Sequence, residues 1–222
     1  MTTQDKTRAN LDWLLPLLGV AAILVIIASF LVGGEPPSAD EGGETIANWY
    51  VDNKSQIQVA ALMSVIGATL LVFFFAYLRR ILRPAEGEGG ILSLLALIGA
   101  AIIAVATAID ATIAFAIAEA ADDVDPVSVQ SLQALWDNDF MPFVLGSALL
   151  WLSVGITVVL HGVLAKWLGW VAIVIGVVSL TPFGFFSFPV GALWILVVSV
   201  LLSLRARPAP ATPAPPAAAP AA

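Results

Sequence analysis

Asp110 is the residue whose type and place most suggest chemistry. It lies within the apolar stretch Ile91–Ala118, with 19 residues before it and eight after it. An ionisable group in hydrocarbon costs a few kcal/mol on insertion scales, so a carboxyl there reads as functional by default. Thr107 and Ala106, three and four residues earlier, share its helix face, as do Ile113 and Ala114, and Gly99 and Ile103 extend that face inward. Asp110 with Thr107 is thus the candidate intramembrane polar site, a proton-carrying carboxyl in a groove of small residues. A plainer reading turns on register. Ile91 to Asp110 already spans about 28 Å of helix, which places the carboxyl at the outer interface with Ala111–Ala118 rising above it.

His161, the single histidine, closes another apolar stretch, with Thr157 and Ser153 one and two turns earlier on its face. A Ser–His dyad for intramembrane hydrolysis would draw on such residues. No serine here carries a Gly-x-Ser-x-Gly nucleophile elbow, and Lys166, Trp167 and Trp170 follow as an interfacial belt, so an interface histidine is the default. With no cysteine, thiol nucleophiles, disulfides and cysteine-held metals are excluded. There is no phosphate-binding loop, dinucleotide fingerprint or His-Glu-x-x-His. No catalytic, cofactor-binding or metal-ligating set assembles, and the expectation is a protein that is not an enzyme and uses no cofactor.

The elements that must position these residues follow from composition. Of 222 residues, 60% are hydrophobic and 11% charged, against roughly half and a quarter in soluble domains. That balance predicts an integral membrane protein, and the net charge of −7 argues against nucleic acid as a partner. A span needs about 20 apolar residues. Trp13–Val32, Val59–Leu78, Ile91–Ala118 and Met141–Leu160 supply them, the third being long enough that it must tilt or project. Trp167–Leu204 is too long for one span and is interrupted by Thr181-Pro182-Phe183-Gly184-Phe185-Phe186-Ser187-Phe188-Pro189. Two prolines and a glycine break a helix, so two short spans are predicted, Trp167–Phe183 and Pro189–Leu204, joined by an aromatic hairpin. The fold class is all-α, a polytopic transmembrane bundle of six spans.

Charge placement bears on that count. With six spans, Lys6, Arg8, Arg79, Arg80, Arg83, Lys166, Arg205 and Arg207 share one side, and only Lys54 falls opposite. The positive-inside rule then places both termini in the cytoplasm. The five-span alternative would send Arg205 and Arg207 outside. Eleven acids fall on the outer side, in the loops 33–58 and 119–140. The first span reads as an uncleaved anchor, since no Ala-x-Ala follows it. The organisation is therefore a cytoplasmic segment (1–12), a helical domain (13–204) and a Pro/Ala-rich tail (205–222) with polyproline II character. The expected location is the plasma (cytoplasmic) membrane, multi-pass.

In the first outer loop, Ser38 and Glu41 fit a capping box, and Ile46, Trp49, Tyr50 and Asn53 follow at helical spacing. They predict a short amphipathic helix lying on the outer surface as an aromatic anchor. Asn53-Lys54-Ser55 matches a glycosylation sequon. In the second loop, Asp122-Asp123-Val124-Asp125-Pro126 and Asp137-Asn138-Asp139 read as solvated caps and turns, since the calcium-loop pattern is missing. Between them, Val127–Trp136 has Val129, Leu132 and Leu135–Trp136 at near-helical spacing, another surface helix. Small residues recur every fourth position: Ala60, Ser64 and Ala68; Ala96, Ala100, Ala104 and Ala108; Ala172 and Gly176. They read as close helix-packing faces, inside the bundle or in self-association.

Three segments carry a likeness. They are Ile46-Ala47-Asn48-Trp49-Tyr50 running on to Phe75-Ala76-Tyr77-Leu78-Arg79-Arg80, then Lys166-Trp167-Leu168-Gly169-Trp170, and the closing Leu193-Trp194-Ile195-Leu196-Val197-Val198-Ser199. In these the chain resembles the uncharacterised small multi-pass membrane proteins of actinobacteria, over most of residues 40–204. The resemblance implies a membrane location and carries over no catalytic residue. The functional expectation is a non-enzymatic scaffold or envelope-complex component, with the lipid bilayer around it and a protein partner at the outer loops. A small proton- or ion-coupled transporter using Asp110 is the alternative, and an intramembrane enzyme around His161 the remote one.

Overall fold

A computed structural model describes residues 13–206. The cytoplasmic segment expected over 1–12, and all but the first two residues of the expected 205–222 tail, lie outside the described residues. The described chain is all-helical, in the order α1 (Leu17–Gly33), α2 (Gly43–Leu82), α3 (Ile91–Ala120), α4 (Pro126–Trp136), α5 (Met141–His161), α6 (Lys166–Val178) and α7 (Ser187–Ala206), with short 3₁₀ turns between. Four helical segments are long and apolar enough to cross a membrane, those containing α2, α3, α5 and α7, while α1 and α6 are shorter apolar helices. At 17 and 13 residues, α1 and α6 reach about 25 and 20 Å, short of a hydrocarbon core of roughly 30 Å.

The six apolar helices close on themselves. Consecutive neighbours pack in the order α1, α2, α3, α5, α6, α7, and α7 returns against α1. Ser203 donates a hydrogen bond to the Trp13 carbonyl at 3.2 Å, so the first described residues and the last turn of α7 lie side by side. The bundle centre is filled by aromatic rings meeting edge to face, Phe75 with Trp151 and Trp151 with Trp194, at centroid distances of 6.2 and 5.2 Å. Phe74, Leu150, Val154 and Val198 are buried with them. Trp194 satisfies its indole N–H on the Leu168 carbonyl at 2.9 Å, binding α7 to α6. Around the perimeter, Phe30, Leu31, Leu62, Phe73, Leu160 and Leu193 stand exposed, as expected of a surface solvated by lipid rather than water.

Several expected small-residue positions are internal contacts. Ala68, Ala96, Ala100, Ala172 and Gly176 are buried within the bundle. The closest approaches are made by glycines. A Cβ on Gly99 of α3 would lie 2.5 Å from the Leu150 backbone nitrogen and 2.8 Å from the Gly146 oxygen of α5, and one on Gly155 would lie 2.7 Å from the Gly169 oxygen of α6.

The expected break in the last apolar region is present. α6 ends at Val178, a turn and a 3₁₀ segment at Gly184–Phe186 follow, and α7 begins at Ser187. Pro189 sits in the first turn of α7, where no intrahelical N–H is required.

The loop over 33–58 differs from expectation. The capping box forms: the Ser38 side chain accepts from Asp40 N, and Glu41 accepts from Ser38 N at 3.3 Å. It caps only one 3₁₀ turn, because Gly42 at φ 90° interrupts the helix. The helix bearing Ile46, Trp49 and Tyr50 is no separate surface element. It is the first part of α2, which runs unbroken for 40 residues, about 60 Å, to the inner loop. Its aromatic face is covered by protein: Ile46 and Tyr50 are buried against Ile117, Ala118 and Ala121 at the end of α3 and Val129 of α4. The last turns of the long third apolar stretch form the other wall of this second core.

Candidate functional site: a carboxyl pocket beneath an outer cap

α4 forms where Asp125 accepts a hydrogen bond from Val127 N at 2.8 Å and Pro126 opens the first turn. It lies across α2 and α3, burying Val129 and Gln133, whereas Leu135, predicted to join this face, is exposed. Gln133 is fully buried yet satisfied. It accepts from the Tyr50 hydroxyl at 2.8 Å and donates to Asp137 at 2.9 Å. Burial, and the Asp137 carboxylate nearby, hold the Tyr50 phenol well above its ordinary range, so it keeps the proton it donates. Lys54 binds the other edge. It bonds the Glu119 carbonyl at 3.2 Å and pairs with Glu119 and Asp122 at 3.7 and 3.8 Å. A cation on the last carbonyls of α3 also complements that helix's dipole.

Beneath this cap, residues of α1, α2, α3 and α4 line a half-open pocket of about 80 Å³. Asp110 lines it, with Trp49 and Tyr50 of α2, Trp136 of α4, the Ser29 and Ser64 hydroxyls, and Gly33 and Gly34 at the end of α1. The two serines are bonded to each other at 3.1 Å. Asp110 is half-buried, ten residues before the end of α3. The Trp136 indole nitrogen is buried beside its carboxyl, short of a completed hydrogen bond. Asp139, just after α4, is close enough to act on Asp110 electrostatically. Its own carboxyl is raised by burial, and one of its oxygens is buried without a donor.

Pro36, Trp49 and Trp136 also line a second, wider cavity of about 550 Å³ that opens outward among Glu35, Glu41 and Asp137. This acidic vestibule and the Asp110 pocket thus share Pro36 and two indoles in their linings.

The other predicted residues are placed apart from it. Thr107 donates to the Ile103 carbonyl of its own helix at 3.0 Å and is not part of the pocket lining. Ser153 and Thr157 are buried and His161 is exposed. Thr157 turns to Ser153 O at 2.8 Å and to the Glu86 carboxylate at 3.3 Å, so its hydroxyl serves the inner loop. Among the described residues no three histidine or acidic side chains converge as metal ligands. The acids of the second loop have distinct duties, Asp125 capping α4 and Asp122 pairing with Lys54.

Sequence reasoning singled out Asp110 but not the company it keeps. In the sequence Tyr50 reads as an aromatic anchor, Trp136 as a surface-helix residue and Asp139 as a turn acid. Gln133, the most buried polar residue of α4, carried no signal beyond lying on its apolar face. No family model, curated protein or solved structure matches the chain.

Proposed function

We propose that the chain is a six-span, non-enzymatic plasma-membrane protein with both termini in the cytoplasm, acting as a scaffold or envelope-complex component that presents its outer cap for recognition. The observation that carries this reading is the second hydrophobic core. α2 and α3 extend well past a membrane's thickness and pack with α4 around Ile46, Tyr50, Ile117 and Val129. A chain that needed only to span would gain nothing from a folded module on one side.

The alternative, a proton- or ion-coupled carrier using Asp110, is favoured by the pocket on that carboxyl. Against it stands the bundle centre, where Phe74, Phe75, Trp151 and Trp194 fill the space between the helices. A carrier needs a polar route continuing from its carboxyl toward the other face, and these side chains offer none. The enzyme reading around His161 finds no support in an exposed histidine whose helix neighbours bond elsewhere.

The test is flux. In vesicles containing the purified chain, an imposed pH gradient followed with an entrapped pH-sensitive dye is expected to decay as it does in protein-free vesicles. Dissipation that disappears in Asp110→Asn would overturn the scaffold reading in favour of transport.

A further inference from the structure

We infer that the pocket beneath the cap receives the head of a primary alkylammonium compound, whose body lies in the acidic vestibule above it. This rests on the reading of the cap as a recognition module and names the chemistry it recognises.

Charge points to a cation. Asp110 lines the pocket, and Asp139, outside that lining, acts on its carboxyl electrostatically. No basic side chain lines either cavity. Lys54, the nearest base on this side, is committed to Glu119 and Asp122. A half-buried carboxyl with a second carboxyl acting on it is relieved by a proton or a bound cation.

The lining selects among cations. A hard metal ion asks for six or more oxygen ligands, whereas Trp49, Tyr50 and Trp136 supply aromatic walls. Aromatic rings with one or two carboxylates attract organic ammonium groups through cation–π and ionic contacts together. A primary ammonium also has three N–H donors to offer, which the Asp110 carboxyl in the lining can accept.

Size and access agree. The pocket of about 80 Å³ suits a head of a few heavy atoms, and the vestibule of about 550 Å³ has room for a body. Its acidic rim, Glu35, Glu41 and Asp137, raises the local concentration of cations.

The experiment is tryptophan fluorescence of the full chain in detergent near neutral pH, titrated with butylammonium, tetramethylammonium, sodium and calcium. A saturable change with butylammonium is expected, at least about tenfold weaker in affinity in Asp110→Asn, a loss of about 1.4 kcal/mol or more. Asp139→Asn is expected to weaken it severalfold and serves as the second variant should the first fail to fold. Asp52→Asn, exposed on the same side and outside the pocket, is expected to leave it unchanged. No saturable response from protein with native circular dichroism overturns the inference, as does a response equal in all three variants. A change produced equally by sodium or calcium, or reproduced by acid alone, also overturns it, assigning the carboxyls to an inorganic cation or a proton. The vesicle experiment above is blind to amines, so failure here leaves the scaffold reading standing.

Discussion

At the scale of single residues, the outer cap is held by polar groups placed where water is scarce. Asp139 is the one whose titration reaches the fold. Burial raises its carboxyl in the folded state, while in the unfolded chain it ionises near pH 4. Between those two values the folded protein holds more proton than the unfolded one, so stability falls as pH rises through the folded value and is greatest below it. Acidification from neutrality toward the ordinary carboxylate range is therefore expected to raise the hydrogen-exchange protection of residues 126–136, after correction for intrinsic exchange rates. Asp139→Asn should flatten that dependence, and an unchanged slope would remove Asp139 from the cap's energetics. Asp110 was legible in the sequence because it is the sole acid in its apolar stretch. Its surroundings were not, because Tyr50, Trp136 and Asp139 reach it from other segments of the chain and no local spacing joins them.

At the scale of elements, glycine sets how closely the helices approach. Gly99 and Gly146 bring α3 and α5 into backbone contact, and a methyl group on either meets main-chain atoms at 3.0 Å or less. Backbone cannot step aside as a flexible side chain can, so Gly99→Ala and Gly146→Ala are each expected to cost about 1–3 kcal/mol, read as earlier thermal unfolding in detergent. Gly89→Ala is the matched control, since a Cβ there meets nothing within 4 Å. The alanine repeats point correctly to a packed face on α3, yet its backbone contact with α5 belongs to two isolated glycines that form no repeat. α2 shows the same limit. The helical spacing of Ile46, Trp49 and Tyr50 was plain, and it predicted an amphipathic helix on a lipid surface. Hydrophobic periodicity tells that a face is buried, not what buries it. Here α4 and the end of α3 do so, and the helix runs on unbroken as the start of α2.

At the scale of the whole molecule, charge and parity agree. Six apolar helices return α7 to α1, and Arg79, Arg80, Arg83, Lys166 and Arg205 gather toward the end where the described chain starts and stops, with Lys54 at the other. Reporter fusions after residues 88 and 210 are expected to read as cytoplasmic, and those after 125 and 186 as external. An external reading at 210 would sink the six-span arrangement and revive the five-span one. The number of apolar helices and the break near Pro182 were legible because proline and glycine act locally. The closure of the ring was not, since it depends on α1 and α7 meeting across nearly the full length of the chain.

The unbroken course of α2 has a mechanical meaning. A continuous helix of 40 residues is a stiff rod about 60 Å long, with Tyr50 near one end and Arg79 and Arg80 near the other. Its buried residues run from Ile46 to Leu82, so its neighbours grip it along its whole length. No interior passage is needed for the two faces of the molecule to sense one another, because a single helix already touches both.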